Sequence, residues 1–131
     1  MTRTTMLALG IFSFSGCVID STHPDLHGSA TLDVAWTVDG TTDPAQCRQG
    51  GATQIDVIVE THSGRYVNDF TADCADFGML IDLDPGQYQA SALLLDDSGH
   101  DRTTEVQIDP FDLFEGDTLP VDIDFPADSF L

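Results

Sequence analysis

A chain of 131 residues has room for one domain of ordinary size. Twenty aspartates and three glutamates stand against four arginines and no lysine, a formal net charge of −19, which excludes nucleic-acid binding through phosphates because that affinity comes from clustered Lys and Arg. A hydrophobic content of 41% excludes a disordered acidic tail, so the charge is read as a solvated surface that discourages self-association and attracts cations or basic partners.

Met1-Thr2-Arg3 carries one positive charge, and Met6 to Phe14 then runs without any. That run is too short for a membrane span, which needs roughly 20 residues; a charged start before a short apolar core is the architecture of an export signal. The run ends in Phe14-Ser15-Gly16-Cys17, which resembles the bacterial lipobox, with Phe14 where Leu is usual. The resemblance implies a signal segment at residues 1–16, cleavage after Gly16, and a diacylglyceryl thioether on Cys17 that attaches the protein to a membrane. More than one acyl chain makes such an anchor stable, at about 0.8 kcal/mol per buried CH₂. Val18 after Cys17, by resemblance to enterobacterial sorting, implies the outer rather than the inner membrane of a bacterial cell envelope. Without the resemblance, residues 4–16 also fit a buried strand or helix with a free Cys17 thiol, or a plain secretory signal. Residues 17–28 are read as the lipidated N-terminus and a tether, since Pro24, Gly28 and polar residues recur there without a period. His23 and His27 are four apart, but Pro24 between them disfavours the helix that would align both imidazoles.

From residue 30 the period is two. Leu32, Val34, Trp36 and Val38 alternate with Asp33, Ala35 and Thr37, as a strand with one wet face does. Ile55, Val57 and Val59 repeat the pattern, and further strands are predicted at Arg65–Ala72, Gly78–Leu83, Tyr88–Leu95, Thr103–Ile108 and Leu119–Phe125. Turn pairs Asp39-Gly40, Ser63-Gly64, Pro85-Gly86 and Ser98-Gly99 fall between the runs. Asp109–Asp117 reads as a nine-residue connection whose Phe111, Leu113 and Phe114 fold back on the core, and no segment reads as a helix. The expected fold is all-β, an antiparallel seven-stranded Greek-key-like sandwich over residues 29–126, with 127–131 a C-terminal tail. With one thiol removed by lipid, Cys47 and Cys74 are left to form a disulfide in an oxidising compartment. Zinc is the weaker alternative, for want of CxxC spacing or matched histidines.

Leu83-Asp84-Pro85-Gly86-Gln87-Tyr88 is the one motif inside the domain. Pro85 and Gly86 suit the second and third positions of a type II turn, where Gly supplies a positive φ. Asp84-x-Gly86-x-Tyr88 resembles the tyrosine corner of Ig-like sandwiches, whose hydroxyl bonds upstream backbone; Ala90 stands where an immunoglobulin cysteine belongs, and Trp36 is on the first strand instead of the third. L-x-P-G-x-Y also resembles the prealbumin-like sandwiches, including carboxypeptidase regulatory-like and Cna-B-like modules. That resemblance implies structural roles for Leu83, Pro85, Gly86 and Tyr88 and a scaffold or adhesion-type module; an isopeptide cross-link does not carry over, since it needs lysine.

For chemistry, the sequence holds no G-x-S-x-G, HExxH, P-loop or CxxC, and His23, His27, His62 and His100 are scattered over tether and turns. An enzyme is not expected, nor a small-molecule substrate or resident cofactor. Calcium is the sharper alternative: Asp96, Asp97 and Asp101 pack three carboxylates into one turn, without EF-hand spacing or a distal glutamate. The expectation is a lipid-anchored, non-catalytic structural or protein-interaction module of the cell envelope, meeting an envelope or surface protein. A Ca²⁺-dependent or glycan-binding module at the cell surface is the alternative.

Overall fold

The structure is a computed structural model and describes residues 28–131; the signal segment, Cys17, His23 and His27 lie outside the described residues. Seven strands follow in chain order: β1 (Ala30–Val38), β2 (Gln54–Thr61), β3 (Tyr66–Asp73), β4 (Gly78–Leu83), β5 (Gly86–Leu95), β6 (Val106–Leu113) and β7 (Thr118–Phe125). A short helix, α1 (Pro44–Gln49), follows β1, and 3₁₀ turns lie at Cys74–Asp76 and Ala127–Ser129. The strands make two sheets of order β4-β1-β7 and β3-β2-β5-β6, in a β-sandwich-like arrangement. All pairings are antiparallel except β1 with β7, which is parallel.

The period of two explains both sheets. Ala30, Leu32, Val34, Trp36 and Val38 point inward from the centre of one sheet, and Ile55, Val57 and Val59 from the other. All eight are at most 1% exposed, each larger side chain contributing roughly 1.5–3 kcal/mol against leaving it in water. Phe125 closes the end of this core. Asp39 and Gly40 both take positive φ (50° and 74°), which a two-residue reversal requires, and Val38 pairs with Thr41 across them.

Two sequence expectations are corrected. First, α1 exists, because Asp43 caps it by accepting from the Ala45 N–H at 2.9 Å and Pro44 fits the first turn, where no N–H partner is needed. Second, the sixth strand is Val106–Leu113 and not Thr103–Ile108. Pro110 is tolerated inside it because it sits on a sheet edge, where the register against β5 breaks between Tyr88 and Ala90. Thr103 precedes the strand and turns inward, its Oγ1 accepting from the Leu94 N–H at 3.0 Å. Residues 127–131, expected as a C-terminal tail, lie against the domain. Phe130 pairs with Thr103 and packs on the core, and the Leu131 N–H donates to Arg102 O at 3.0 Å.

Among the described residues four strands leave a sheet edge open: β4 and β7 in one sheet, β3 and β6 in the other. Among the described residues no helix is long and apolar enough to cross a membrane.

Candidate functional site

Cys47 and Cys74 form a disulfide, their Cα atoms 6.1 Å apart, within the usual range for such bridges. It ties α1 to the 3₁₀ turn before β4, under the end of the core where Trp36 Nε1–H donates to Cys74 O at 2.9 Å.

The corner motif is drawn together. Tyr88 is 7% exposed, its hydroxyl donates to Asp84 O at 2.6 Å, and its ring lies 5.9 Å from that of Phe111. Leu83 is buried beside it. The expected type II turn does not form: Gly86 has no positive φ and is the first residue of β5. Burial raises the Tyr88 hydroxyl pKa, with the Asp84 carboxylate adding to it. Tyr88→Phe is expected to cost about 1 kcal/mol, the typical net value of one hydrogen bond, read as a lower urea midpoint at unchanged slope.

Asp96, Asp97 and Asp101 are not brought to a common point. Asp96 Oδ1 accepts from the Ser98 and His100 N–H groups, both at 2.9 Å, and these bonds, His100 first, hold its pKa below the ordinary carboxylate value. Asp97 and Asp101 are exposed. Among the described residues no group of three His, Cys, Asp or Glu side chains is placed to hold a metal ion.

The outer face of the β4-β1-β7 sheet is a surface that strand-by-strand reading of the sequence missed. By register it carries Thr31, Asp33, Ala35 and Thr37 from β1, Thr118, Pro120, Asp122 and Asp124 from β7, and Gly78, Leu80 and Asp82 from β4. Four of these are aspartates and none is basic. Threonines orient two of the carboxylates: Thr37 Oγ1 donates to Asp124 at 2.6 Å, and Thr31 Oγ1 to Asp82 at 3.1 Å. The Gly40 N–H adds a second bond to Asp124 at 2.9 Å. A shallow depression of about 350 Å³ opens among Ala35, Thr37, Phe77, Asp122 and Asp124. The signal was present in the sequence, since every outward residue of β7 is Thr, Pro or Asp; what could not be read was that β1, distant in sequence, runs parallel beside it.

On the opposite sheet Asp56 of β2 faces Asp69 and Tyr66 of β3 and the Asp101 carboxylate. The Tyr66 hydroxyl donates to Asp69 Oδ1 at 2.6 Å, which lowers the Asp69 pKa. Desolvation first, then the Asp69 charge, raises Asp56 to about 6, and its Oδ1 is buried without a partner. Of the two carboxyls, Asp56 is therefore the one that holds its proton to higher pH. Its folded-state value lies above the unfolded one, so this contribution to stability is present below about pH 4 and is lost as the pH rises through 6. Asp56→Asn is expected to gain about 1 kcal/mol at pH 7.5, after discounting for solvent screening, and nothing at pH 4. Thermal melts at the two pH values check it.

No family model matches the chain, and no curated protein matches it. Among solved structures it is similar to a protein of Bacteroides thetaiotaomicron VPI-5482 described as a candidate polysaccharide binding protein (DUF1812), at 15% identity over 71% of this chain and a TM-score of 0.45. It is also similar to a leucine-rich repeat protein of the same organism, at 18% identity over 76% of this chain and a TM-score of 0.45. The chain spans 46% of the first protein's length and 12% of the second's.

Proposed function

We propose that this chain is a lipid-anchored lipoprotein of the bacterial cell envelope, at the outer membrane, whose β domain is a non-catalytic module that docks a basic partner protein. The acidic outer face of the β4-β1-β7 sheet carries the reading: four carboxylates, two of them held by threonine hydroxyls, on one sheet face without a basic residue. Such a field steers and selects a cationic partner more than it adds raw affinity. The anchor rests on the lipobox resemblance at Phe14-Ser15-Gly16-Cys17, and the disulfide accords with an oxidising compartment. For the sandwich type we favour the prealbumin-like over the Ig-like reading. Immunoglobulin domains keep their first two strands in one sheet, whereas here β1 and β2 lie in different sheets.

A photo-cross-linking residue at position 33 or 122, in intact cells, is expected to capture a basic protein and to lose it in about 0.5 M salt, where the Debye length falls below the reach of these charges. The same residue at position 71, on the opposite sheet and across from Asp56, is expected to capture less. Equal capture from both faces, or none from either, overturns the interaction reading. Cys17→Ser is expected to move the protein from the membrane fraction to the soluble one; retention in the membrane overturns the anchor.

A further inference from the structure

Four open edges invite pairing with foreign strands, and three carry a device against it. β6 and β7 contain Pro110 and Pro120. β3 faces a register break opposite Val59 and Glu60 and bears Asp69 and Asp73 along its length. β4 contains no proline and no register break, and carries one carboxylate, Asp82, against the two of β3. The direction of its backbone groups follows from the ladder. The Trp36 N–H donates to Phe77 O at 3.1 Å, so residues of that parity, Met79, Ile81 and Leu83, bond β1, while the N–H and C=O groups of Gly78, Leu80 and Asp82 face the open edge. The Leu80 side chain beside them is 69% exposed. At the C-terminal end of this edge, between Asp82-Leu83 of β4 and Val67 to Phe70 of β3, lies a groove of about 370 Å³ lined also by Asp84 and Tyr88. Backbone groups in a row beside a groove for alternate side chains are the two parts of a strand-addition site.

We infer that the β4 edge accepts an extended segment of a partner protein as a fourth strand of the β4-β1-β7 sheet, apolar side chains entering the groove and lysines or arginines alternating with them on the acidic outer face. The inference rests on the basic-partner reading above and adds its mode of binding. Charge selects the occupant. A second copy of this chain brings a net charge of −19 and the same aspartates to the edge, and like charges across adjacent strands repel. A segment with basic residues at every second position meets Asp82 and Asp33 instead.

The probe is a capped ten-residue peptide alternating valine and lysine, compared at low salt with a peptide of the same composition in two blocks. The alternating peptide is expected to bind at least tenfold more tightly and to slow amide exchange at Gly78, Leu80 and Asp82. Because N–H groups alternate between the two edges of a strand, N-methylation of one alternate set of peptide residues is expected to abolish binding and of the other set to leave it intact. Leu80→Pro, which removes an N–H that does not bond β1, is expected to lose the tenfold preference while keeping the melting temperature; the methylated peptides give the same answer should that variant not fold. Equal binding of alternating and block peptides, or equal effects of both methylated sets, overturns strand addition and leaves the basic-partner reading standing. Binding of neither peptide overturns both.

Discussion

Replacing Cys47 and Cys74 together by serine is expected to cost about 3–4 kcal/mol. The bridge closes a loop of sequence separation 27, for which the chain-entropy model gives about 3.5 kcal/mol. Local packing adds to this, because both cysteines are nearly inaccessible, at 3% and 0% exposure. A helix of six residues has no stability of its own in water, so without the bridge α1 keeps the Asp43 cap, the Arg102 bond to Gly50 O and its contacts with the core. Urea titration of the oxidised domain, of the dithiothreitol-reduced domain and of the double variant checks this. The reduced domain and the variant are expected to agree within about 1 kcal/mol, since both restore the same freedom to the unfolded chain. A loss below about 1 kcal/mol in the variant would show that the bridge is not what holds α1 to the Cys74–Asp76 turn.

Legibility tracked the length and regularity of each pattern. β1, β2 and β7 alternate over eight or nine residues, each with one face apolar, and such runs admit one structural reading. β6 was misplaced because Asp109-Pro110 has the composition of a turn, and only the partner strand decides whether a proline lies on an edge. α1 is too short for a helical period to appear, though Asp43-Pro44 was a usable start signal. Pro85-Gly86 resembled a type II turn, yet the chain passes directly into β5 there.

The acidic face was half legible. That Asp33, Asp82, Asp122 and Asp124 point to solvent follows from alternation alone. That they share one surface depends on β1 lying between β4 and β7, a pairing across about 90 residues of chain that no local pattern encodes. The Asp56–Asp69 contact has the same origin, since it needs the β2–β3 register. Cys47 and Cys74 were legible by counting thiols, but their role as the clasp of α1 was not.

Trp36→Phe is expected to cost about 2–3 kcal/mol, a loss out of proportion to the ring atoms removed. Trp36 is 1% exposed, and its indole N–H is bonded to Cys74 O. Phenylalanine leaves that buried carbonyl only the long bond from the Phe77 N–H at 3.4 Å, a loss of about 1–3 kcal/mol, and opens a small cavity that the surrounding strands fill only in part. The same tryptophan bonds Phe77 through its backbone, at the start of β4 where Phe77 holds a positive φ of 53°. Bridge, indole and the entry to β4 are thus one unit, and the two perturbations should not add. In the Cys47→Ser/Cys74→Ser background, where the Cys74 backbone is free to turn its carbonyl to water, Trp36→Phe is expected to cost about 1 kcal/mol less than in the oxidised domain. A double-mutant cycle in urea reads that coupling directly, and strict additivity would separate the tryptophan from the bridge. The coupling bears on function as well, because the β1–β4 pairing that begins beside Trp36 and Phe77 places Asp33, Leu80 and Asp82 on one surface. A variant that loosens it is expected to weaken capture from position 33 before the domain unfolds.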